Sequence, residues 1–311
     1  MEKTLKIGTR ESQLALWQAT QVKDLLSAIG IGAELIGIKS EGDIDLKTPL
    51  YEIGVQGIFT RNLDAALLNH QIDIAVHSLK DVPTQLAAGL VQAAVLKRGN
   101  YKDILVFRDP AAGDLYQNLA GKSPVTIATS SIRRKAQWLH RYPDTRMVNL
   151  RGNVNTRLDK LALSHWHGAI FAAAGLERTG LRPTHAIDLD WMLPAPAQGA
   201  ITILCREEDR GSKEACLLLN DPGTALCTKI ERDFLRALMG GCSTPISALA
   251  EIEADELFFR ASILSADGKQ KKELEKILPV ELADNLGIES GKEFLDSDAA
   301  GILEKMRHGA K

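Results

Sequence analysis

Short apolar runs alternate with amphipathic stretches along the first two thirds of the chain, and this alternation predicts an α/β architecture. Runs rich in β-branched residues predict strands at 5–8, 34–38, 72–77, 104–107, 125–128, 169–174 and 201–205. Apolar residues at helical spacing predict helices over 12–26 and 59–68, and further helices starting at Ser131 and Asn153. Because strands alternate with helices, we expect parallel sheets with helices packed on their faces.

The alternating pattern starts again near residue 103 and stops at the proline-rich segment 193–200. The apolar run after that segment predicts a strand that returns to the first part of the chain. The remaining residues predict a smaller α+β domain, with a helix from Thr224 to about Met239, strands near 257–263 and a helix near 294–306. We therefore expect three domains, with the first one discontinuous: 1–98 with 199–217, 103–194, and 221–311.

Charge is distributed unevenly along the 311 residues, although 38 basic and 40 acidic residues nearly cancel. A formal net charge of -2 lacks the positive field of a nucleic-acid coat protein. Residues 251–311 hold 14 acidic and 9 basic residues, so the first 250 residues carry a net charge of +3. Within segment 129–157, seven basic residues accompany the single acid Asp144, which predicts an anion-binding region.

Membrane and secreted classes are not favoured by the sequence. No run reaches the 18 apolar residues of a spanning helix, and the N-terminus lacks the apolar core of a signal peptide. The four cysteines form no CxxC pair, so neither a zinc site nor a disulfide framework is predicted. We expect a cytoplasmic protein with reduced thiols that does not bind membranes.

Cys242 differs from the other three cysteines in its surroundings. It lies in GGCSTP, where glycines allow a tight turn after the predicted helix. A thiol displayed on such a loop is accessible to chemistry. We expect Cys205, Cys216 and Cys227 to be small buried hydrophobic side chains instead.

Asp81 follows the strongest predicted strand, in the segment HSLKDVPT. Ligand-binding loops of open α/β sheets lie at such carboxyl ends of strands, where Lys80 adds an ammonium group and Ser78 a hydroxyl. The alternative is a solvated turn in which Asp81 bonds its own backbone. We expect His77 to end the strand rather than to act as a base.

A second group of candidates lies where strands lead into helices. Free N–H groups at a helix start attract anions, and arginine pairs bind carboxylates in a bidentate manner. Arg10 and Ser12 follow the first strand in the same way that Ser131 and Arg133 follow the strand predicted at 125–128. The alternative is a solvated basic surface, to which we assign Arg141 and Arg146. The remaining anion-binding candidates are Thr129, Ser131, Arg133, Arg134, Arg151, Arg157 and Arg178.

Six segments, in this order and spacing, resemble the porphobilinogen deaminase (hydroxymethylbilane synthase) family between about residues 5 and 250. They are IGTRESQLALWQA, DIAVHSLKDVPT, TSSIRRKAQ, LRGNVNTRL, LPAPAQGA and GGCSTPISA. The resemblance implies two α/β domains similar to type II periplasmic binding proteins, with the active cleft between them, and a third, smaller domain.

The resemblance also implies an activity: four porphobilinogen units are joined head to tail with loss of ammonia, and water releases hydroxymethylbilane for porphyrin and haem biosynthesis. A dipyrromethane cofactor is attached through a thioether to Cys242, and Asp81 stabilises positive charge on the reacting pyrroles. A monomer is implied. Residues implied to bind acetate and propionate groups are Arg10, Ser12, Ser78, Lys80, Thr129, Ser131, Arg133, Arg134, Arg151, Arg157 and Arg178.

The segment LYEIGVQGIF departs from the family, because Glu52 and Gln56 stand where members often have lysines. A non-catalytic anion-binding protein of the periplasmic type is the main alternative function, although Cys242 and the lack of a signal peptide argue against it. A nucleic-acid binder using segment 129–157 is the second alternative. Only Trp138 and Tyr142 supply aromatic rings for it.

Overall fold

A computed structural model of the chain describes residues 4–39, 60–109, 125–238 and 244–308, which form three sheets with helices packed on them. The strands are β1 (Leu5–Thr9), β2 (Ala33–Gly37), β3 (Ile74–Ser78), β4 (Leu90–Val95), β5 (Asp103–Phe107), β6 (Thr126–Ala128), β7 (Arg146–Val148), β8 (Gly168–Ala172), β9 (Ile187–Asp188), β10 (Ile201–Arg206), β11 (Ile246–Glu253), β12 (Glu256–Leu264) and β13 (Lys271–Pro279). The helices are α1 (Gln13–Ala28), α2 (Arg61–Leu68), α3 (Ile132–Arg141), α4 (Val154–Leu163), α5 (Ala173–Arg178), α6 (Arg210–Leu217), α7 (Pro222–Ala237), α8 (Leu286–Leu295) and α9 (Ala299–His308).

The first two sheets have the same topology. The first sheet has the strand order β2-β1-β3-β10-β4, and the second has the order β7-β6-β8-β5-β9. In each sheet the first three strands of this order are parallel, and the fourth is antiparallel to both of its neighbours. β1 and β6 therefore occupy equivalent positions. The segments that follow these two strands are equivalent as well, as the sequence predicts.

The prediction of parallel sheets was wrong in this respect, because both sheets are mixed. The chain leaves the first sheet after β4 and enters the second as β5, and it returns from β9 as β10. Strands that enter from the opposite sheet run against the βαβ units, so β5 and β10 are antiparallel. The two crossovers run side by side, with Gly199 at φ +89° and its position for a Cβ only 2.7 Å from the carbonyl oxygen of Gly99. Only glycine fits there.

The third sheet is antiparallel, in the order β11-β12-β13, and α7, α8 and α9 pack against it. Its core contains three edge-to-face aromatic rings, with Phe234 at 5.8 Å from Phe259 and at 5.1 Å from Phe294 between centroids. The single helix predicted near 294–306 was wrong: α8 and α9 are separate. Ser297 separates them, since its hydroxyl donates to the Phe294 carbonyl at 2.9 Å and accepts from the Ala299 N–H at 3.3 Å.

The described cysteines behave as the sequence predicts. Cys205, Cys216 and Cys227 are buried free thiols, and burial raises the pKa of Cys216 and Cys227 to about 12. None of the helices in the described ranges is long and apolar enough to cross a membrane.

Candidate active site

Asp81 lies in a 3₁₀ turn, Leu79–Asp81, that directly follows β3. Leu79 is fully buried and anchors the turn, while Lys80 and Asp81 are half-buried at the carboxyl end of the strand. Lys80 Nζ donates to Gln198 Oε1 at 3.3 Å, so the turn contacts the second crossover. Within the described part of the chain, the Asp81 carboxylate accepts no hydrogen bond from a neighbour, which leaves it available to a ligand.

Asp103, at the start of β5, organises the arginine pair at the start of α3. It is fully buried and forms ion pairs of 2.7 Å with Arg133 and 2.8 Å with Arg134. Burial raises the pKa of Asp103, but the two guanidinium groups outweigh this and hold it at about 2. Gln198 Nε2 also donates to its carboxylate at 2.9 Å. The sequence singled out Arg133 and Arg134 as anion-binding candidates, and it did not identify Asp103 as the acid that pairs with both.

Besides Asp103, the two arginines bind different backbone carbonyls. Arg134 uses its Nε, Nη1 and Nη2 on Asp103 and on the Ile170 carbonyl, at 2.8 to 3.1 Å. Arg133 donates Nη1 to the Leu193 carbonyl at 2.8 Å. Both side chains therefore also hold the second domain together, and their charge reaches the Asp81 turn electrostatically.

A buried excess of positive charge surrounds this turn. Desolvation lowers the pKa of Lys80 to about 8, and Asp81 opposes this effect while Arg134 adds to it. Desolvation lowers the pKa of Arg157 to about 10, with further lowering by Arg134 and Arg151 and opposition from Asp81. We call this group the cationic cluster, and its members are Lys80, Arg133, Arg134, Arg151 and Arg157.

Helix starts contribute further donors beside the cationic cluster. Ser131 caps α3, because its hydroxyl accepts from the Arg134 N–H at 3.4 Å, and Thr129 Oγ1 accepts from the Ser131 N–H at 3.2 Å. α4 begins after Asn153, whose side chain accepts from the Thr156 N–H at 2.9 Å. The N-terminus of each helix carries partial positive charge, which adds to that of the arginines on the same helices.

The residues after β1 form the corresponding part of the first domain. Ser12 caps α1, and its hydroxyl accepts from the Ala15 N–H at 3.4 Å. Ser78 exchanges hydrogen bonds with the Gln18 side chain, at 2.9 and 3.3 Å. His77 is buried in β3, and desolvation, with help from Arg10, lowers its pKa to about 4, so the ring is neutral near pH 7.

Arg178, at the end of α5, contacts both domains. Its Nη2 donates to the Gly199 carbonyl at 2.6 Å, and its guanidinium carbon lies 5.6 Å from the centre of the Trp17 ring. Desolvation lowers its pKa to about 10. Nearby, Asn155 Nδ2 donates to Gln13 Oε1 at 3.0 Å, so α4 and α1 meet across the space between the sheets.

The structure thus brings Asp81 and the cationic cluster together from two domains, although they are up to 76 residues apart in sequence. It places Arg10, Ser12 and Ser78 at the ends of β1 and β3, and Arg178 at the crossover. Cys242, Glu52 and Gln56 lie outside the described residues. Sequence reasoning missed Asp103 and Gln198; the only signals were an acid at the start of an apolar run and an amide in LPAPAQGA.

The strand order defines the class of protein. The first two sheets share one strand order, each has one antiparallel strand, and two crossovers join them. This is the fold of type II periplasmic binding proteins. The third sheet is an addition to that fold. This confirms the predicted fold class. Among solved structures, the methionine binding protein MetQ aligns with 70% of this chain and 89% of its own, at 13% identity and a TM-score of 0.45.

Sequence comparison identifies the particular family. Residues 5–214 match the model of the "porphobilinogen deaminase, dipyromethane cofactor binding domain", and residues 225–296 match the model of the C-terminal domain of the same enzyme. The porphobilinogen deaminase of Geotalea uraniireducens is 39% identical, over 98% of this chain and 95% of its own. That of Chlorobium phaeobacteroides is 40% identical, over 99% of both chains.

The chain therefore belongs to the porphobilinogen deaminase family. It is a transferase of tetrapyrrole biosynthesis whose N-terminal region binds a dipyrromethane cofactor. The alternative of a non-catalytic anion-binding protein is not favoured.

The described residues fit a dipyrromethane chemically. Each pyrrole of this pathway carries two carboxylates, so the ligand is a polyanion. Desolvation lowers the pKa of Lys80 to about 8 and that of Arg157 to about 10, so both are cations in partly water-excluded positions. Carboxylates of such a ligand would stabilise their protonated forms, because buried cations favour nearby anions.

Proposed function

We propose that the chain joins four porphobilinogen units at Asp81, on a dipyrromethane attached through a thioether to Cys242. The observation that carries this proposal is the position of Asp81, a half-buried carboxylate within the cationic cluster. When bound, the dipyrromethane supplies the pyrrole end at which the chain grows, and it remains on the protein when the product leaves. Each addition forms one carbon–carbon bond and releases one ammonia, and one water completes the product.

Asp81 stabilises positive charge that develops on porphobilinogen as its amine leaves as ammonia. A fixed carboxylate in a partly desolvated site stabilises such charge more strongly than water does. Its carboxylate accepts no hydrogen bond from a described residue, so a pyrrole N–H can take that position. Asp81 in turn interacts electrostatically with Lys80 and Arg157, which keeps both cations beside it.

The cationic cluster and the helix starts hold the acetate and propionate groups. Lys80, Arg151 and Arg157 donate directly, with Thr129 and Ser131 as hydroxyl partners. Arg133 and Arg134 contribute mainly through their field, because their hydrogen bonds to Asp103, Leu193 and Ile170 are already formed. On the side of the first domain, the groups are held by Arg10, Ser12, Ser78 and Arg178.

We also infer that the protein acts as a cytoplasmic monomer. Cys205, Cys216 and Cys227 are free thiols, as expected in a reducing compartment. The cationic cluster and Asp81 come from a single chain, so a second copy is not needed to assemble the site. Sedimentation of the purified protein at micromolar concentration tests the monomeric state. A stable dimer would contradict it.

Intact mass and turnover of matched variants test the function. We expect the wild-type protein to carry the added mass of two linked pyrroles on the peptide that contains Cys242. Cys242→Ser abolishes this adduct. Asp81→Asn retains the adduct and loses turnover by about a hundredfold or more, the size expected for a charge-stabilising group. Asp284→Asn, at a side chain 77% exposed, serves as the control and keeps normal turnover.

Two results would contradict the proposal. An adduct that persists in Cys242→Ser would place the attachment elsewhere. Near-normal turnover of Asp81→Asn would exclude Asp81 from the chemistry.

A further inference from the structure

Arg232 of α7 contacts the segment that carries Asp81, although it belongs to the C-terminal domain. Its Nη1 donates to the carbonyl oxygens of Leu79 at 3.2 Å and Val82 at 2.8 Å. Its Nη2 donates to the carbonyl oxygen of Pro83 at 2.6 Å. One guanidinium group therefore binds three carbonyls that lie on both sides of Asp81.

These three carbonyls belong to a stretch of backbone that no sheet holds. β3 ends at Ser78, and the 3₁₀ turn is closed by only one described bond of its own, from the Val82 N–H to the Leu79 carbonyl at 3.2 Å. Pro83 has no N–H and cannot join a ladder. Because the carbonyls on both sides of Asp81 are held, the peptide planes there are held, and with them the direction in which the Asp81 side chain leaves the backbone.

The helix that supplies Arg232 is itself held firmly. Its preceding residue, Glu231, is fully buried and accepts from Arg98 at 2.6 and 3.1 Å and from the N–H groups of Ala197 and Ala250 at 2.6 and 2.8 Å. Glu231 thus attaches α7 to both crossovers and to β11. A guanidinium group carried by such a helix has little freedom to follow movements of the Asp81 turn.

α7 also precedes the cofactor cysteine in the sequence. Arg232 precedes Cys242 by ten residues, and the helix ends at Ala237, five residues before it. The contact of Arg232 with the Asp81 turn therefore joins the part of the chain that leads to the attachment site to the part that carries the carboxylate.

We propose that Arg232 is a positioning residue that sets the orientation of Asp81 relative to the helix preceding the cofactor cysteine. The proposal rests on the role of Asp81 given above. A planar guanidinium group can bind three carbonyls at once, whereas the ammonium of a lysine is a point donor without this geometry. Arg232 does not touch the reacting atoms, and its effect on the reaction passes through Asp81.

The test compares the holoenzyme forms of Arg232→Ala, Arg232→Lys and a control, Arg236→Ala. Arg236 lies four residues further along the same helix, is 55% exposed and pairs only with Asp233 at 3.0 Å among the described residues. We expect both Arg232 variants to carry the dipyrromethane by intact mass. We expect turnover of Arg232→Ala to fall by about a hundredfold, as a displacement near 1 Å does, with a smaller fall for Arg232→Lys. Arg236→Ala keeps normal turnover.

Two further measurements separate positioning from a general loss of stability. Guanidinium ion at non-denaturing concentration restores part of the turnover of Arg232→Ala, since it can occupy the vacated place, and does not increase turnover of the wild type. In an Asp81→Glu background, which already displaces the carboxylate, Arg232→Ala lowers turnover by a smaller factor than in the wild type, because coupled residues are not additive.

The outcomes distinguish this inference from the function itself. If Asp81→Asn is inactive while both Arg232 variants turn over normally, Arg232 has no positioning role and the function stands. If Asp81→Asn is active, the proposed function fails irrespective of Arg232. If Arg232→Ala does not fold, Arg232→Lys decides: normal turnover overturns the inference, and lowered turnover with full cofactor supports it. Equal losses in both Asp81 backgrounds, without rescue, overturn it as well.

Discussion

At the scale of single residues, the protonation of Lys80 is coupled to the binding of a carboxylate ligand. Its ammonium group is partly removed from water, with the carboxylates of Asp81 and Asp103 favouring its charge and with Arg133 and Arg134 opposing it. The balance leaves its pKa at about 8. A ligand carboxylate beside it would stabilise the protonated form, so binding and protonation of Lys80 are linked.

This linkage has a definite direction in pH. Below about pH 8 Lys80 carries its proton before the ligand arrives, and binding takes up none. Above pH 8 the free protein has lost that proton and must regain it, so affinity falls as pH rises, by at most about tenfold per pH unit. We expect the KM for porphobilinogen to rise between pH 8 and 9.5. Lys80→Met should have a higher KM at pH 7 and lack this rise; an unchanged pH profile in the variant would contradict the assignment.

At the scale of elements, helix starts fix the fold and also present N–H groups of the kind that bind anions. α1 and α3 each begin at a serine cap directly after an equivalent strand, and α4 begins at Asn153. A cap hydroxyl accepts one N–H of the first turn, and the remaining N–H groups are left for anions. Ser12 and Ser131 were predicted both as ligand residues and as helix starts, and the structure confirms that each caps its helix.

Variants of Ser131 separate these two roles. Ser131→Ala removes the cap and should lower the free energy of unfolding by about 1 kcal/mol. Ser131→Asp keeps a good cap, so stability should stay within about 0.5 kcal/mol of the wild type. Its negative charge lies beside the cationic cluster and repels carboxylates, so the KM for porphobilinogen should rise. Urea unfolding and steady-state kinetics check both expectations; an aspartate variant with unchanged KM would place Ser131 outside the binding site.

At the scale of the whole molecule, Glu231 joins the three domains at one buried point. Its carboxylate accepts from Arg98 before β5, from the Ala197 N–H before β10 and from the Ala250 N–H of β11. Arg98 Nε also donates to the Gln198 carbonyl at 2.9 Å, next to the amide that contacts Lys80 and Asp103. The crossovers and the C-terminal domain are therefore held together by charge as well as by packing.

We expect Glu231→Gln to be strongly destabilising. The amide keeps the shape but loses the charge, and in either orientation its NH₂ group must face two donors, Arg98 and a backbone N–H. Breaking a buried ion pair in this way costs about 3 to 5 kcal/mol. Glu214→Gln, on the exposed side of α6, is the control and should change the free energy of unfolding by less than about 0.5 kcal/mol. Denaturant unfolding measures both, and a Glu231 variant as stable as the control would contradict the account.

Local patterns were sufficient for the elements near the site. The period of the apolar residues predicted β1, β3 and α1 to within a few residues, and capping chemistry predicted the starts of α1, α3 and α4. The burial of Cys205, Cys216 and Cys227 followed from their apolar surroundings. The family also followed from the sequence, because its motifs are short, ordered and chemically specific.

Only the tertiary structure decided what depends on distant pairing. The antiparallel direction of β5 and β10 depends on which sheet the chain enters, and a strand sequence carries no such information. Asp103 follows Lys102 at the start of an apolar run, and Arg232 lies between two acids on an amphipathic helix, so nothing local pointed to their partners, 30 and about 150 residues away. The sequence by itself determined the chemistry present and the elements that carry it. The fold decided which carboxylate stays half-exposed and which is neutralised inside, because that depends on burial and on charges brought together from separate domains.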